Sequence, residues 1–532
     1  MRTSNLLPEL IALTAERTPD ATALVFGNDK LTYGALQDAI ANFAGGLINL
    51  GLKRGERVAI YLEKRFETVI ASFGAPAAGG VFVPLNPLLK PEQVRYILQD
   101  CNVRILVTSP ERLSLLSDTL SQCHDLHHIV VLDSLNPLPK VEPIAVCGWN
   151  ELLMQPRSLG HRVIDTDIVG ILYTSGSTGK PKGVVLSHRN MVAGAKSVAS
   201  YLENRPDDTL LAALPLSFDA GFSQLTTAFH VGARVVLLNY LLPRDVLKAI
   251  AREKVTGLTA VPPLYIQLAQ LDWPVEITEH LRYFANTGGR MPRETLAMLR
   301  QRLPKTSPYL MYGLTEAFRS TYLPPSEVDR RPDSIGKAIP NAEILVLRED
   351  YSICAPNEPG ELVHRGALVG MGYWNDSEKT AERYKPLPAH TPGRESGLVL
   401  PEIAVFSGDT VRMDEEGYLY FIGRRDEMMK TSGYRVSPTE VEEILYATRL
   451  IGECVAFGVD HDTLGQTIQV IATPPAGHTL DTTALLAECR TRMPAYMIPA
   501  GIEVREGPLP RNPNGKIDRK TLSTEWVENN AC

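Results

Sequence analysis

A stretch of small residues, hydroxyls and two lysines has the clearest chemical capacity in this sequence. An apolar run at 168–172 leads into segment 173–183, which reads Tyr-Thr-Ser-Gly-Ser-Thr-Gly-Lys-Pro-Lys-Gly. Small residues let backbone N–H groups turn towards an anion, while the hydroxyls and lysines add donors and positive charge. The stretch is predicted to be a phosphate-binding loop, with a flexible Ser/Gly turn as the alternative.

This loop differs from the Walker A motif of P-loop enzymes. That motif requires a glycine five places before its Gly-Lys pair and a serine or threonine after it. Here Thr174 occupies the first of these places and Pro181 the last. A P-loop NTPase or kinase is therefore disfavoured.

Carboxylates, hydroxyls and a lysine recur in short glycine-containing segments further along the chain. Segment 312–316 reads Tyr-Gly-Leu-Thr-Glu, 406–409 reads Phe-Ser-Gly-Asp, and 508–519 contains Asn-Gly-Lys. Carboxylates bind Mg²⁺ or accept hydrogen bonds from hydroxyl groups, and a lysine at the tip of a turn can meet developing negative charge. Taken singly, each segment is also consistent with an ordinary solvated turn.

Taken in order, these segments resemble the motifs of the adenylate-forming superfamily, which comprises acyl-CoA ligases, luciferases and nonribosomal-peptide adenylation domains. Segments 31–33, 79–87 and 423–426 (Leu-Thr-Tyr, Gly-Gly-Val-Phe-Val-Pro-Leu-Asn-Pro and Gly-Arg-Arg-Asp) also match in this order. The resemblance covers nearly the whole chain. It implies ATP and Mg²⁺ as cofactors and a carboxylic acid as substrate.

The same resemblance implies which residues bind ATP. The ring of Tyr312 would stack on adenine, Asp409 would accept hydrogen bonds from the ribose hydroxyls, and Arg424 would lie near ribose or phosphate. Glu316 would bind Mg²⁺. The complete set predicted to bind ATP is Thr174, Ser175, Gly176, Ser177, Thr178, Gly179, Lys182, Gly288, Gly289, Tyr312, Asp409 and Arg424.

Three further roles follow from the resemblance. Lys516 would be the catalytic lysine, acting with Thr315 and Glu316. Asp426 would be the hinge of a mobile small domain, and Gly433 would line the thiol tunnel in a second conformation. We therefore expect an adenylating N-terminal domain at 1–425 and a mobile C-terminal domain at 426–532 that carries the lysine.

The acid substrate is predicted from segment 214–223. It contains Phe218-Asp219, which is typical of adenylation domains whose carboxylate pairs with the α-ammonium of an amino acid. An unpaired buried carboxylate is costly, so a fatty-acid tunnel has no use for one. The alternative is an N-cap aspartate of the following helix. By family register, the pocket residues are expected to be Asp219, Ala220, Ser223, Asn286, Gly288, Met311 and Ser320.

Segment 312–325 reads Tyr-Gly-Leu-Thr-Glu-Ala-Phe-Arg-Ser-Thr-Tyr-Leu-Pro-Pro. In this segment especially, and as a whole, the sequence is similar to stand-alone prolyl–carrier-protein ligases of natural-product biosynthesis. The resemblance implies activation of a small amino acid, L-proline first, and transfer to the phosphopantetheine thiol of a separate acyl or peptidyl carrier protein. The alternative is an AMP-forming acyl-CoA ligase for a non-amino acid. A luciferase-type oxygenase would share the first half-reaction, whereas a binding-only relative would lack Lys516, Glu316 or the phosphate-binding loop.

The surrounding elements are predicted to be α/β. Short β-rich runs at 58–61, 105–107 and 129–132 alternate with a helical face at 94–101, which is typical of βαβ units. We expect βαβ-built sheets with helical cover and a β-barrel-like part in the large domain, and a small mobile α+β domain.

The composition narrows the function class. The net charge of −7 argues against a nucleic-acid-coating protein, and seven irregularly spaced cysteines favour neither a zinc site nor a disulfide framework. The sequence has no apolar run long enough for a membrane span and a start unlike a signal peptide. The expected location is the cytoplasm, with no nucleic-acid or membrane partner.

Overall fold

A computed structural model describes residues 3–132, 137–174, 181–389, 391–392, 394, 397, 399–424, 427–431, 434–461, 464–513 and 515–530. Its strands are β1 Thr22–Phe26, β2 Asp29–Thr32, β3 Arg57–Tyr61, β4 Val81–Pro84, β5 Val103–Thr108, β6 His128–Val131, β7 Ala145–Gly148, β8 Ile168–Thr174, β9 Lys182–Ser187, β10 Thr209–Ala212, β11 Arg234–Leu237, β12 Gly257–Ala260, β13 Tyr283–Asn286, β14 Ser307–Tyr312, β15 Thr321–Leu323, β16 Ser334–Ala338, β17 Ala342–Leu347, β18 Gly360–Gly366, β19 Tyr384–Pro386, β20 Ile403–Met413, β21 Leu419–Arg424, β22 Met429–Thr431, β23 Tyr434–Val436, β24 Cys454–His461, β25 Gly465–Ala472 and β26 Gly501–Val504.

The helices lie between these strands and cover the sheets. They are α1 Glu9–Arg17, α2 Tyr33–Asn49, α3 Phe66–Ala77, α4 Pro91–Asp100, α5 Pro110–Leu120, α6 Trp149–Leu153, α7 His188–Tyr201, α8 Asp219–Val231, α9 Pro243–Glu253, α10 Pro262–Ala269, α11 Ile277–His280, α12 Arg293–Arg302, α13 Ser377–Arg383, α14 Pro438–Ala447, α15 Thr482–Arg492 and α16 Arg519–Asn530.

Two large sheets form the N-terminal part of the chain. One has the strand order β7-β6-β5-β3-β4-β8-β9 and is parallel except for the β8–β9 hairpin. The other runs β17-β18-β20-β21-β16-β15-β14-β13-β12-β10-β11-β1-β2, and the pairing is parallel along its stretch from β14 to β1. Parallel strands joined by helices bury both sheet faces, which agrees with the apolar runs in the sequence.

The main core lies where α3 and α8 pack together beside both sheets. Phe82 and Phe222 stack with ring centroids 4.7 Å apart, and Phe73 stacks on Phe222 at 5.7 Å. All three rings are fully buried. Offset aromatic contacts add to the free energy gained by burying the rings, so this cluster fixes α8, the helix that begins at Asp219.

The C-terminal part has its own sheet and core. Its strands are ordered β23-β22-β25-β24, with β26 paired to β25. Apolar residues of α14 and α15, such as Val441 and Leu485, are fully buried against this sheet. The predicted fold class is thus confirmed as mixed α/β with a large N-terminal and a smaller C-terminal part. The boundary at 425/426 falls outside the described residues and stays a prediction.

The local predictions from the first half of the sequence are confirmed. The runs at 58–61 and 105–107 lie in β3 and β5, and the run at 129–132 lies in β6 except for its last residue. The face at 94–101 lies on α4 and its C-cap Cys101, with Val94, Ile97 and Leu98 buried. None of the helices in the described ranges combines the length and the apolar composition that a membrane span requires. The cytoplasmic location stays a prediction.

Candidate active site

The predicted motifs converge at the carboxyl edge of the parallel strands. Segment 213–219 follows β10, Val261 follows β12, the Thr287-Gly288-Gly289 segment follows β13, and the Gly313–Glu316 segment follows β14. In open α/β sheets this edge is where ligands bind, because loops from neighbouring parallel strands meet there. Chain positions separated by up to a hundred residues are thus brought together.

Lys516 reaches this edge from the C-terminal part. It lies in a turn in which the backbone N–H of Asn512 donates to the Lys516 carbonyl at 2.8 Å, and the Lys516 N–H donates to the Asn512 side chain at 3.1 Å. A Cβ added to Gly288 would lie 3.1 Å from Lys516 Cε, so the lysine stem packs against bare glycine backbone. Burial lowers the pKa of Lys516, and the nearby Asp219 carboxylate opposes that shift. The predicted catalytic lysine therefore lies beside the predicted acid site.

A second contact holds the lysine turn against the N-terminal part. The side-chain amide of Asn86 donates to the Pro513 carbonyl, and Asn86 itself is 5% exposed. Asn86 belongs to the segment 79–87 that carries part of the family resemblance. The contact gives this segment a physical role, which is to position the turn that carries Lys516.

Tyr312, Asp409 and Arg424 form a connected group at the predicted nucleoside site. The Tyr312 hydroxyl donates to Asp409 Oδ2, and Arg424 Nε lies 3.3 Å from Oδ1. Within the described chain, Oδ1 accepts no hydrogen bond although it is buried. Burial raises the pKa of Asp409, and the Arg424 charge opposes the rise. A buried carboxylate oxygen with unused acceptor capacity fits a ribose hydroxyl, as the predicted role of Asp409 requires.

Glu316 and Lys182 share one tyrosine. Tyr373 Oη donates to Glu316 Oε1 at 2.6 Å, while Lys182 Nζ lies 5.6 Å from the centre of the Tyr373 ring. Glu316 lies in a short 3-10 turn, Thr315–Ala317, directly after β14, and Thr315 is buried there. Burial lowers the pKa of Lys182. This arrangement places a carboxylate and a cation close together at the predicted phosphate end of the site.

The side chains at this site suit Mg²⁺ bound together with a nucleotide better than a metal ion held by protein ligands alone. Within the described ranges, no group of three or more His, Cys, Asp or Glu side chains could hold a metal ion. Mg²⁺ typically takes one or two carboxylates together with phosphate oxygens and water. Glu316 supplies one such carboxylate, so the residues present fit Mg²⁺ bound jointly with a nucleotide.

Several predicted positions lie outside the described residues. These are Ser175, Gly176, Ser177, Thr178 and Gly179 of the loop, the hinge Asp426, and the tunnel residue Gly433. Thr174 ends β8 and pairs across the hairpin with Lys182 of β9, so the two ends of the phosphate loop are placed. The roles of all these residues stay predictions.

Asp219 is fully enclosed, and it has a partner that the sequence analysis did not foresee. It is the first residue of α8, whose N-cap is Phe218, so the N-cap alternative does not describe its position. Arg319 Nη1 donates to Asp219 Oδ2 at 3.1 Å, and the two side chains are 3% and 4% exposed. Burial raises the pKa of Asp219, with the Arg319 charge the largest opposing influence. The carboxylate is therefore ion-paired before any substrate binds.

Three of the predicted pocket residues line a small cavity next to this pair. Ala220, Ser223 and Met311 contribute to its wall together with Arg319 and Gln224, and its volume is about 10 Å³, room for roughly one water molecule. Asn286 and Ser320 are buried nearby but bonded elsewhere. The Asn286 amide donates to the Gly289 carbonyl at 2.8 Å, and Ser320 Oγ lies 2.9 Å from His364 Nδ1.

Arg319 is the residue that sequence reasoning missed. It follows Ala317 and Phe318, both fully buried, and precedes the fully buried Ser320. The signal in the sequence was its place directly after the apolar pair Ala317-Phe318, because an arginine that is buried with such neighbours must find a buried anion. Asp219 was the candidate anion, but the family motif assigns its carboxylate to a substrate ammonium instead.

Comparisons with known proteins identify the family of the chain. The family model described as "AMP-binding enzyme" matches residues 11–374, and that of the "AMP-binding enzyme C-terminal domain" matches 440–516. A long-chain-fatty-acid–CoA ligase of Bacillus subtilis (strain 168) is 30% identical, with 98% of this chain and 95% of that protein covered. Bacitracin synthase 3 of Bacillus licheniformis is 28% identical over 97% of this chain but 8% of its own length.

A solved structure connects the fold with the expected cofactors. The o-succinylbenzoate coenzyme A synthetase from Bacillus subtilis, in complex with ATP and magnesium ion, matches with a TM-score of 0.80 at 25% identity, over 97% of this chain and 99% of that one. ATP and magnesium are therefore bound by an enzyme with this fold. Given the family-model matches over both parts, the chain belongs to the AMP-binding enzyme family and is an adenylate-forming acid–thiol ligase.

Proposed function

We propose that this enzyme activates a compact carboxylic acid, a small amino acid with L-proline as the first choice, as its acyl-adenylate. Pyrophosphate is released, and the acyl group then passes to the phosphopantetheine thiol of a separate carrier protein. The single observation that carries the proposal is the proximity of Lys516, Gly288 and Asp219 at the strand edge. At this edge the Lys516 cation can bind the carboxylate of an amino acid, and the buried Asp219 carboxylate can pair with its α-ammonium. The bare backbone of Gly288 leaves space between them.

In this proposal each side chain has a stated task. Lys516 holds the acid's carboxylate and meets the negative charge that develops during adenylation, because preorganised charge stabilises a transition state. Tyr312 and Asp409 hold the nucleoside through the ring and the unused carboxylate oxygen. Glu316 would hold Mg²⁺, which neutralises phosphate charge when bound.

The α-ammonium of an amino acid would bind at Asp219. A carboxylate offers about four acceptor positions, and the hydrogen bond from Arg319 uses Oδ2. Asp219 could therefore serve Arg319 and an ammonium together.

The thiol acceptor is proposed on the family pattern. Bacitracin synthase 3 is among the relatives, and the sequence resembles stand-alone carrier-protein ligases. Rotation about Asp426 would withdraw Lys516 and bring Gly433 to the thiol channel. Intact-protein mass spectrometry of a holo carrier protein should detect the aminoacyl adduct, with free coenzyme A the poorer acceptor.

A second candidate is an acyl-CoA ligase for a non-amino acid. The observation that favours it is the Asp219–Arg319 pair, which already neutralises the carboxylate that an ammonium would need. Pairing with Arg319 offsets part of the desolvation cost of the buried Asp219 without any substrate amine. The 30% identity to a fatty-acid–CoA ligase points in the same direction.

ATP–pyrophosphate exchange separates the two candidates. The assay compares the twenty amino acids with fatty and aryl acids, using the native enzyme and Asp219→Asn. Asparagine keeps the shape but removes the charge, so exchange with the amino acid should fall more than exchange with its deaminated analogue. Strong exchange with octanoate and none with any amino acid would select the second candidate.

A further inference from the structure

Three buried polar atoms without a hydrogen-bond partner belong to residues around the cavity beside the Asp219–Arg319 pair. They are Arg319 Nε, Gln224 Oε1 and Thr227 Oγ1, and each belongs to a residue that lines this cavity. Arg319, Gln224 and Thr227 are 2%, 5% and 2% exposed. Within the residues that the structure describes, none of the three atoms bonds to protein.

The other ends of these side chains are already fixed. Gln224 Nε2 donates to the carbonyls of Leu211 at 2.7 Å and Thr259 at 3.2 Å, so the amide cannot simply rotate to satisfy its oxygen. Arg319 is held through Nη1 by Asp219. The unused atoms are therefore preorganised: one N–H donor, one carbonyl acceptor, and one hydroxyl able to do either.

Burying these atoms without a hydrogen-bond partner destabilises the folded protein, because each polar group loses its hydration and gains no bond in exchange. The cavity has room for about one water molecule, which could bridge them in the free enzyme. A methyl group placed there would displace that water and offer neither a donor nor an acceptor in return. A group with both donor and acceptor capacity would replace it.

We infer that the acid activated by this enzyme carries a hydroxyl group at its distal end. The group accepts a hydrogen bond from Arg319 Nε and donates one to Gln224 Oε1, with Thr227 as a further partner. This inference rests on the proposed acid-activating function and narrows its substrate class. It ranks a hydroxylated small acid above the unsubstituted one, so L-proline becomes the parent compound rather than the best substrate.

Matched pairs of acids test the inference through ATP–pyrophosphate exchange. Hydroxylated and unsubstituted partners are compared: 4-hydroxy-L-proline with L-proline, and 4-hydroxybutanoate with butanoate. A site built to bond a hydroxyl rejects the analogue that lacks it, so kcat/KM should favour the hydroxylated partner by about tenfold or more in at least one pair. Calorimetric titration with the matching non-hydrolysable acyl-sulfamoyl adenosines should show the same preference without turnover.

Two variants assign the preference to the cavity. Thr227→Val keeps the side-chain volume and removes one hydroxyl, and Arg319→Lys keeps a cation for Asp219 while removing Nε. Both should reduce the preference for the hydroxylated partner. Thr226→Val is the matched control, because Thr226 lies one residue away on α8, donates to the Ser223 carbonyl and does not line the cavity.

The outcomes distinguish two kinds of failure. Equal or better use of the unsubstituted partner in every pair, with exchange intact, overturns the inference and leaves the proposed function standing. A preference that survives unchanged in both cavity variants overturns it as well. No exchange with any acid overturns the proposed function and the inference with it.

Discussion

Gly288→Ala should impair adenylation far more than it destabilises the fold. Gly288 has φ +76°, and an added Cβ would lie 3.1 Å from Lys516 Cε and 3.2 Å from Val261 Cγ1. A left-handed backbone costs an alanine about 1–2 kcal/mol, and the contact displaces the lysine stem by a few tenths of an ångström or more. Because a misplaced catalytic group costs up to about a hundredfold in rate, we expect exchange to fall by roughly 10- to 100-fold.

The matched control for this prediction is Gly232→Ala. Gly232 has φ +83°, and its added Cβ would lie 3.1 Å from Thr14 Cγ2, so backbone strain and contact are alike, but the residue caps the far end of α8. Both variants should lower the melting temperature by similar amounts in thermal unfolding monitored by circular dichroism. Only Gly288→Ala should lose exchange, and equal exchange in the two variants would refute the placement of Lys516 against Gly288.

The remaining predictions concern the nucleoside site, the contact between the two parts, and pH. Asp409→Asn should raise the Kd for ATP in calorimetric titration by roughly 10- to 100-fold, since hydrogen bonds to charged groups contribute about 1.5–3 kcal/mol; an unchanged Kd would remove Asp409 from the ribose site. Arg449 Nε donates to Glu294 Oε2 at 2.7 Å, a contact between the C-terminal and N-terminal parts. Glu294→Arg should therefore slow ATP–pyrophosphate exchange by a factor of roughly 2 to 5, and adding Arg449→Glu should restore the rate. Both effects should be weaker at high salt. Burial lowers the pKa of Lys64 to about 7, below its unfolded value, so the unfolded chain binds more protons above pH 7 and the free energy of unfolding should rise with pH from there to about 10. Lys64→Met should flatten that rise in urea titrations at several pH values, and an identical slope would show that Lys64 does not titrate in this window.

Apolar spacing in the sequence was sufficient to predict those helices and strands that bury a face made of their own neighbouring residues. The face of α4 and the strands β3, β5 and β6 follow from apolar spacing, because each buries one stripe or both faces of a short run. The convergence of Gly288, Tyr312 and Lys516 could not be derived from spacing, since it depends on which strands are neighbours. It was expected only through the family resemblance.

The Asp219–Arg319 pair shows what a one-dimensional motif leaves out. Each residue was visible in the sequence, but a hundred positions separate them. Their contact depends on α8 and the segment after β14 meeting at one edge. The substrate role predicted for Asp219 therefore assumed a free carboxylate, whereas the fold supplies an arginine and, with it, the polar cavity.

The proposed role of Lys516, in adenylation but not in thiol transfer, is tested most directly by measuring both half-reactions in Lys516→Ala. ATP–pyrophosphate exchange measures adenylation, and transfer from chemically supplied acyl-adenylate to a thiol measures the second step. Preorganised charge of this kind contributes about 2.7–4 kcal/mol, so exchange should fall by roughly a hundred- to a thousandfold while transfer is retained. Exchange close to that of the native enzyme, or equal loss of both steps with the fold intact, would contradict the account.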